Sequence, residues 1–200
     1  MKKVLVIIDN GHGVNTRGKR SPDGRLMEWK WTREFAEMLS KALREEGIMT
    51  HLLVPEDVDV SLSNRCLRAN TIAKNFGVHG YESVLVSIHN NAANSDGKWH
   101  KANGFTVWVY TNASKNSRKL AKLMSQEADL MDLTGDRWIP DCGYFEANYY
   151  ILKNTDMPAV LTENMFQDNK ADVDFLLSEE GIKKLIDLHK KSILKYIQSL

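Results

Sequence analysis

Apolar positions fall into two periods along this chain. Residues 4–8 (VLVII), 83–89 (SVLVSIH) and 158–162 (PAVLT) are short apolar runs rich in β-branched residues, closed off by glycine, proline or polar positions. Runs of that length and composition suit strands buried on both faces, as in the interior of a parallel sheet. Residues 48–54, stopped by Pro55, give another strand, and FTVWVY after Gly104 gives one whose pattern alternates less cleanly, placing it toward the sheet's edge. Residues 149–152 give a further short strand.

Between these runs the apolar spacing changes to that of helices. Over residues 28–46, Trp31, Phe35, Met38, Leu39, Ala42 and Leu43 share one face, and Gly47 ends the helix. A second helix starts at Ser61 or Ser63 and runs to about Phe76, with Leu62, Cys66, Ile72 and Ala73 inward. A third starts at Asn112 or Ser114 and reaches about Met131, with Leu120, Met124 and Ala128 on its apolar face. Two more close the chain, over 170–177 and, capped by Ser178, over 179–197. Strands alternate with helices without a linker or repeat, which predicts one α/β domain over residues 1–200: a three-layer α/β/α arrangement with a mostly parallel central sheet flanked by helices.

Composition narrows the function classes. With 27 basic and 26 acidic residues the net charge is +1, so nothing calls for nucleic acid or an anionic membrane. Cys66 and Cys142 stand in no metal-ligand or redox spacing and read as reduced thiols. Lys2 and Lys3 precede apolar residues, but that run meets Asp9 at once and no small-residue cleavage site follows. No stretch approaches transmembrane length. The expectation is a soluble chain made in the cytoplasm without a Sec signal. Neither GxGxxG nor GxxxxGK[ST] occurs, so a nucleotide-binding domain is disfavoured and the basic cluster Arg17-Gly18-Lys19-Arg20 reads as a solvated turn.

Candidate chemistry gathers at strand ends. His12, His89 and Glu163 follow three of the predicted strands, and Glu28 stands at the mouth of the first helix. If those strands are neighbours, the four side chains converge at the carboxyl edge of the sheet, where ligands bind in open α/β folds. Two histidines and a carboxylate make a catalytic zinc ligand set with one position open, and a carboxylate outside the set serves as general base. The separations of 16 and 61 residues lack the helical geometry that makes HExxH specific. Plainer readings stand beside each residue: a polar turn for His12, a strand-end hydrogen bond for His89, a helix-dipole contact for Glu28, a solvated loop for Glu163. His51, His79 and His189 read as structural or solvent-facing. His100 stays open because its loop flanks the cleft, and Trp99, Trp138, Tyr144 and Tyr149 either line a groove or pack in the core.

Four motifs in order, IIDNGHG, GRLMEW, SIHNNAA and PAVLTENMFQDNKADVDFLLSEEGIKKL, resemble the zinc-dependent N-acetylmuramoyl-L-alanine amidases over essentially the whole chain. The resemblance implies hydrolysis of the bond between the lactyl group of muramic acid and L-alanine in peptidoglycan, with one Zn2+ per chain. It implies His12, Glu28 and His89 as metal ligands and Glu163 as the catalytic glutamate. Asn91 matches the family's asparagine, either touching substrate or bracing the His89 loop. Asn10 stands where proline is common and Val14 where a second glycine often follows, departures that bear on loop shape and substrate fit. A catalytically silent peptidoglycan-binding module of the same fold is the alternative. A wall-cutting enzyme without a signal peptide must reach the wall by another route, so the expected setting is a phage or prophage lysin released by lysis, or a chain separated from its native signal peptide. Oligomeric state is not set by any of these features.

Overall fold

The computed structural model describes residues 2–136 and 140–200, so Trp138 lies outside the described residues. Six strands form one sheet in the order β2-β1-β3-β6-β4-β5. β1 (Lys3–Asn10) pairs in parallel with β2 (Met49–Leu52) and with β3 (Tyr81–Asn91), and β3 pairs in parallel with β6 (Ala159–Phe166). β4 (Thr106–Val109) runs antiparallel to β6 and parallel to the two-residue edge strand β5 (Phe145–Glu146).

Alternate residues of each central strand face opposite layers. Val4, Val6, Ile8, Val84, Val86, Ile88 and Val160 pack against α1 (Glu28–Glu45), α3 (Lys115–Leu130) and α6 (Glu179–Gln198). Leu5, Ile7, Leu85, Ala159 and Leu161 pack against α2 (Leu62–Gly77) and the one-turn α4 (Tyr150–Lys153). This double burial is why the central strands read as unbroken apolar runs. α5 (Lys170–Leu176) precedes α6. Ser61, Ser114 and Ser178 cap α2, α3 and α6, each accepting from a backbone N–H three residues on. After β1 the chain goes to β2 on one side, whereas after β3 it continues to the other side. The crevice between the carboxyl ends of β1 and β3 is thus a topological switch point.

Several expected details differ. Residues 149–152 are the cap and body of helix α4 rather than a strand: the N–H groups of Leu152 and Lys153 both donate to the carbonyl of the capping Tyr149, and Ile151 and Leu152 are buried. A short apolar run has no period by which to tell the two apart. The strand at that end is β5, the pair Phe145 and Glu146. Met38 and Leu62, expected to face inward, are exposed, at the margins of the apolar stripes of α1 and α2. β3 and β6 continue past His89 and Glu163, with the register shifting between His89 and Asn91.

Candidate metal centre at the carboxyl edge of the sheet

The segment DNGHG shapes the end of β1. The Asn10 amide donates to the Val54 carbonyl, and the Gly11 N–H donates to the Ile88 carbonyl of β3. A methyl at Gly11 would overlap the His89 ring, and one at Gly13 would overlap the backbone of residues 58 and 59. Glycine is needed at both positions because other groups pass too close for any side chain. Between them His12 has a positive φ of 61°, which aims its ring toward β3. Its carbonyl accepts from Arg33 Nη2 and Arg65 Nη2, each at 3.0 Å.

Arg65 of α2, buried to 2% exposure, clamps this turn. It bonds Asp9 Oδ1 at 2.6 Å, the carbonyls of Asn10 and Val60 at 2.6 and 2.8 Å, and Asp59 at 2.9 Å. Asp9 also accepts from Ser87 Oγ at 2.7 Å. Removing one member of such a buried, fully bonded pair is costly because the other is left uncompensated. The sequence reading did not single out Asp9 or Arg65. Asp9, closing the β1 run two residues before Gly11-His12-Gly13, was a legible signal, whereas Arg65 had none.

Glu28, the first residue of α1, is fully buried rather than a solvated helix-start acid. Its Oε1 accepts the Asn90 N–H at 3.0 Å and lies 3.4 Å from His12 Nε2 and 3.2 Å from His89 Nδ1. Burial works to raise its carboxyl, but hydrogen bonds from both histidines outweigh that and hold it well below the usual carboxylate range. Burial likewise works to lower His89, and the Glu28 carboxylate reverses the shift upward. The two imidazoles meet edge to face with ring centres 4.9 Å apart.

One donor atom from each of His12, Glu28 and His89 falls within 4.8 Å of the others, and Glu28 Oε2 is buried without a hydrogen-bond partner among the described residues. Donors about 2.0–2.1 Å from a tetrahedral zinc ion lie about 3.3–3.4 Å from one another. The two separations at Glu28 match that edge, and the chemistry of the set is that of catalytic zinc sites. These residues therefore fit the metal.

Glu163 is the register partner of His89 on β6, so both side chains rise on the same face. Burial pushes its carboxyl up to about 7; Glu28 adds to the rise, while His89 and Lys19 oppose it. Its Oε2 is buried without a partner among the described residues. His12, His89 and Glu163 open onto a cleft of about 560 Å³ that Lys19, Arg65 and Tyr149 also line. Asn91 does not line it. Its Oδ1 accepts the Ala92 N–H, and its carbonyl accepts the Gln167 N–H. His189 is buried in the core, His51 is half-buried and His79 is exposed. His100 pairs with Asp96, and Tyr144 packs in the core.

Fold and site together define an α/β protein with a donor group suited to a hydrolytic metal and a protonatable carboxylate beside it. Residues 6–195 match the family model of N-acetylmuramoyl-L-alanine amidase, and the chain belongs to that family. Proteins named "Probable cell wall amidase LytH" are similar: that of Staphylococcus aureus is 29% identical over 84% of this chain and 49% of its own length. That of Staphylococcus epidermidis is 27% identical over 86% and 51%. The chain thus spans about half the length of these curated relatives. The crystal structure of N-acetylmuramoyl-L-alanine amidase from Clostridium difficile 630 superposes with a TM-score of 0.83 at 25% identity, covering 100% of this chain and 99% of that one. Among the described residues no helix is long and apolar enough to cross a membrane.

Proposed function

We propose that residues 1–200 form a catalytic domain that hydrolyses the amide bond between the lactyl group of N-acetylmuramic acid and L-alanine in peptidoglycan. One Zn2+ would be held by His12, Glu28 and His89. The observation that carries this reading is the triangle of donors around buried Glu28, with a second carboxylate, Glu163, held near neutrality across the adjoining strand. Family membership supports the scissile bond, and the wall-amidase names of the staphylococcal relatives support the wall as substrate.

When bound, zinc supplies Lewis acidity toward the scissile carbonyl and lowers the pKa of water toward ~7. Glu163 takes the proton of the attacking water and returns it to the departing alanine nitrogen. A carboxyl poised near 7 serves both directions, and such transfer is typically worth about 10²–10⁴-fold. Asn91 braces the end of β3 through its bonds to Ala92 and Gln167.

The test pairs two near-isosteric changes, with zinc content and release of new L-alanine amino termini from purified walls as readouts. Glu163→Gln is expected to keep zinc and lose roughly 10²–10⁴-fold in rate. Glu28→Gln is expected to lose metal, because a ligand and its charge are removed. If Glu163→Gln loses its zinc while Glu28→Gln keeps metal and activity, the two carboxylates are assigned the wrong way round. Wild-type protein that holds zinc and binds walls but releases no amino termini would be the silent module.

A further inference from the structure

Beside the catalytic cleft lies a second groove of about 400 Å³, between residues 17–22 and the loop 92–98. Its rim carries four cations, Arg17, Lys19, Arg20 and Lys98. None of their head groups makes an ion pair or hydrogen bond among the described residues. Every other described arginine is bonded: Arg25 to Asp23, Arg33 to the Glu56 carbonyl, Arg44 to Thr50, Arg65 to Asp9, Arg68 to Glu56 and Arg118 to Glu146. In a chain of net charge +1 this concentration is local. The one carboxylate lining the groove, Asp168, is taken up by the backbone N–H groups of Ala93 and Asn94.

A further observation places the groove relative to the chemistry. Lys19 lines both this groove and the cleft holding His12, His89 and Glu163, so the two spaces adjoin.

We propose that this groove holds the peptide stem beyond its L-alanine, and that Arg17 and Arg20, flanked by Lys19 and Lys98, bind the free α-carboxylate of the second stem residue. The proposal rests on the amidase reading above. That residue, D-glutamate linked through its side-chain carboxyl, presents either a carboxylate or a carboxamide. Guanidinium groups bind the planar carboxylate through paired N–H donors that a carboxamide satisfies only in part. The groove therefore discriminates between the two forms of the stem.

The experiment uses two synthetic muramyl tripeptides that differ only in carboxylate against carboxamide at that residue. Wild-type zinc-loaded protein should cut the carboxylate form with a kcat/KM at least about tenfold higher, since a charge-assisted pair is at stake. The double variant Arg17→Gln/Arg20→Gln should bring that ratio close to one while melting temperature and zinc content stay at wild-type values. A wild-type ratio near one, or a variant that slows both substrates equally, overturns the proposal. So does a defect confined to whole walls bearing phosphodiester polymers, which would assign the cations to phosphate instead. Binding of the free tripeptides, read by titration calorimetry, is independent of hydrolysis. If neither substrate is cut, the amidase reading fails, and preferential binding of the carboxylate tripeptide then decides the groove on its own.

Discussion

At the scale of single residues, the donor group depends on a missing methyl. Gly11 abuts the ring of His89, so Gly11→Ala must push that imidazole away from Glu28 and His12. Disturbing the support of a metal ligand typically costs 10–100-fold in affinity, and a loss of roughly that size is expected here for zinc, read by competition with a chelator. Gly77→Ala is the control, since a methyl there meets open space at the end of α2. Unchanged affinity in Gly11→Ala would show that the ring has room to yield. The turn itself was legible: a strand that breaks into Asp-Asn-Gly-His-Gly has few uses besides presenting a side chain. Glu28 was legible as a residue but not as a buried one, because burial at a helix start depends on what lies under it. Here that is the end of β3, whose Asn90 N–H takes the carboxylate. Arg65 was illegible for the same reason, its partners in the β1 turn being 53–56 residues away along the chain.

At the scale of elements, α6 is joined to β6 by a buried polar contact behind Glu163. His189 lies among lysines in sequence, yet its ring is enclosed in the core between Phe35 and Phe105. Nδ1 lies 2.9 Å from the Leu185 carbonyl and Nε2 3.2 Å from Thr162 Oγ1, so the neutral ring donates to the first and accepts from the second. Burial depresses its pKa to about 4, against an ordinary value near 6.5. Its contribution to stability is therefore present above pH 6.5 and is lost as pH falls toward 4, because only the unfolded chain takes up the proton in that window. The integrated difference is about 3 kcal/mol. Urea midpoints of the wild type should fall across this range more steeply than those of His189→Gln, and parallel curves would remove the assignment. The 3.6-residue pattern of α6 was plain in the sequence, but a histidine at a core position carries no mark to separate it from a solvated one. The opposite failure occurred at α4, where four residues were too few to show any period.

At the scale of the whole molecule, the three donors come from the β1 turn, the start of α1 and β3, so a bound metal joins parts of the fold that are distant in sequence. Zinc at about 100 times its dissociation constant should add about 2.7 kcal/mol. That corresponds to roughly 5–10 °C in melting temperature for a chain of this size. The shift should reverse on chelation and be absent in His12→Ala, and scanning fluorimetry reads all three. A shift that survives in His12→Ala would place the stabilising ion elsewhere. The layered architecture was readable because strands buried on both faces cannot alternate and helices buried on one face must. The direction of β4 was not, since side-chain pattern is blind to strand polarity. What distinguishes β4 is the β3–β4 connection, residues 92–105, which contains no helix of the kind that parallel crossovers usually carry.

His12 holds its positive φ at a cost of about 1–2 kcal/mol that glycine would avoid. Glycine's greater freedom in the unfolded chain offsets roughly 0.5–1 kcal/mol of that relief. The contacts its backbone makes, through a carbonyl shared by Arg33 and Arg65, would survive the exchange. What the imidazole returns to folding is its contact with buried Glu28, a charge that a copy freed from the chemistry can shed by protonation. A lineage freed from the chemistry could drift to glycine there and keep its shape and its cleft. Position 12 is thus where a decayed copy of this domain would first part company with a working one.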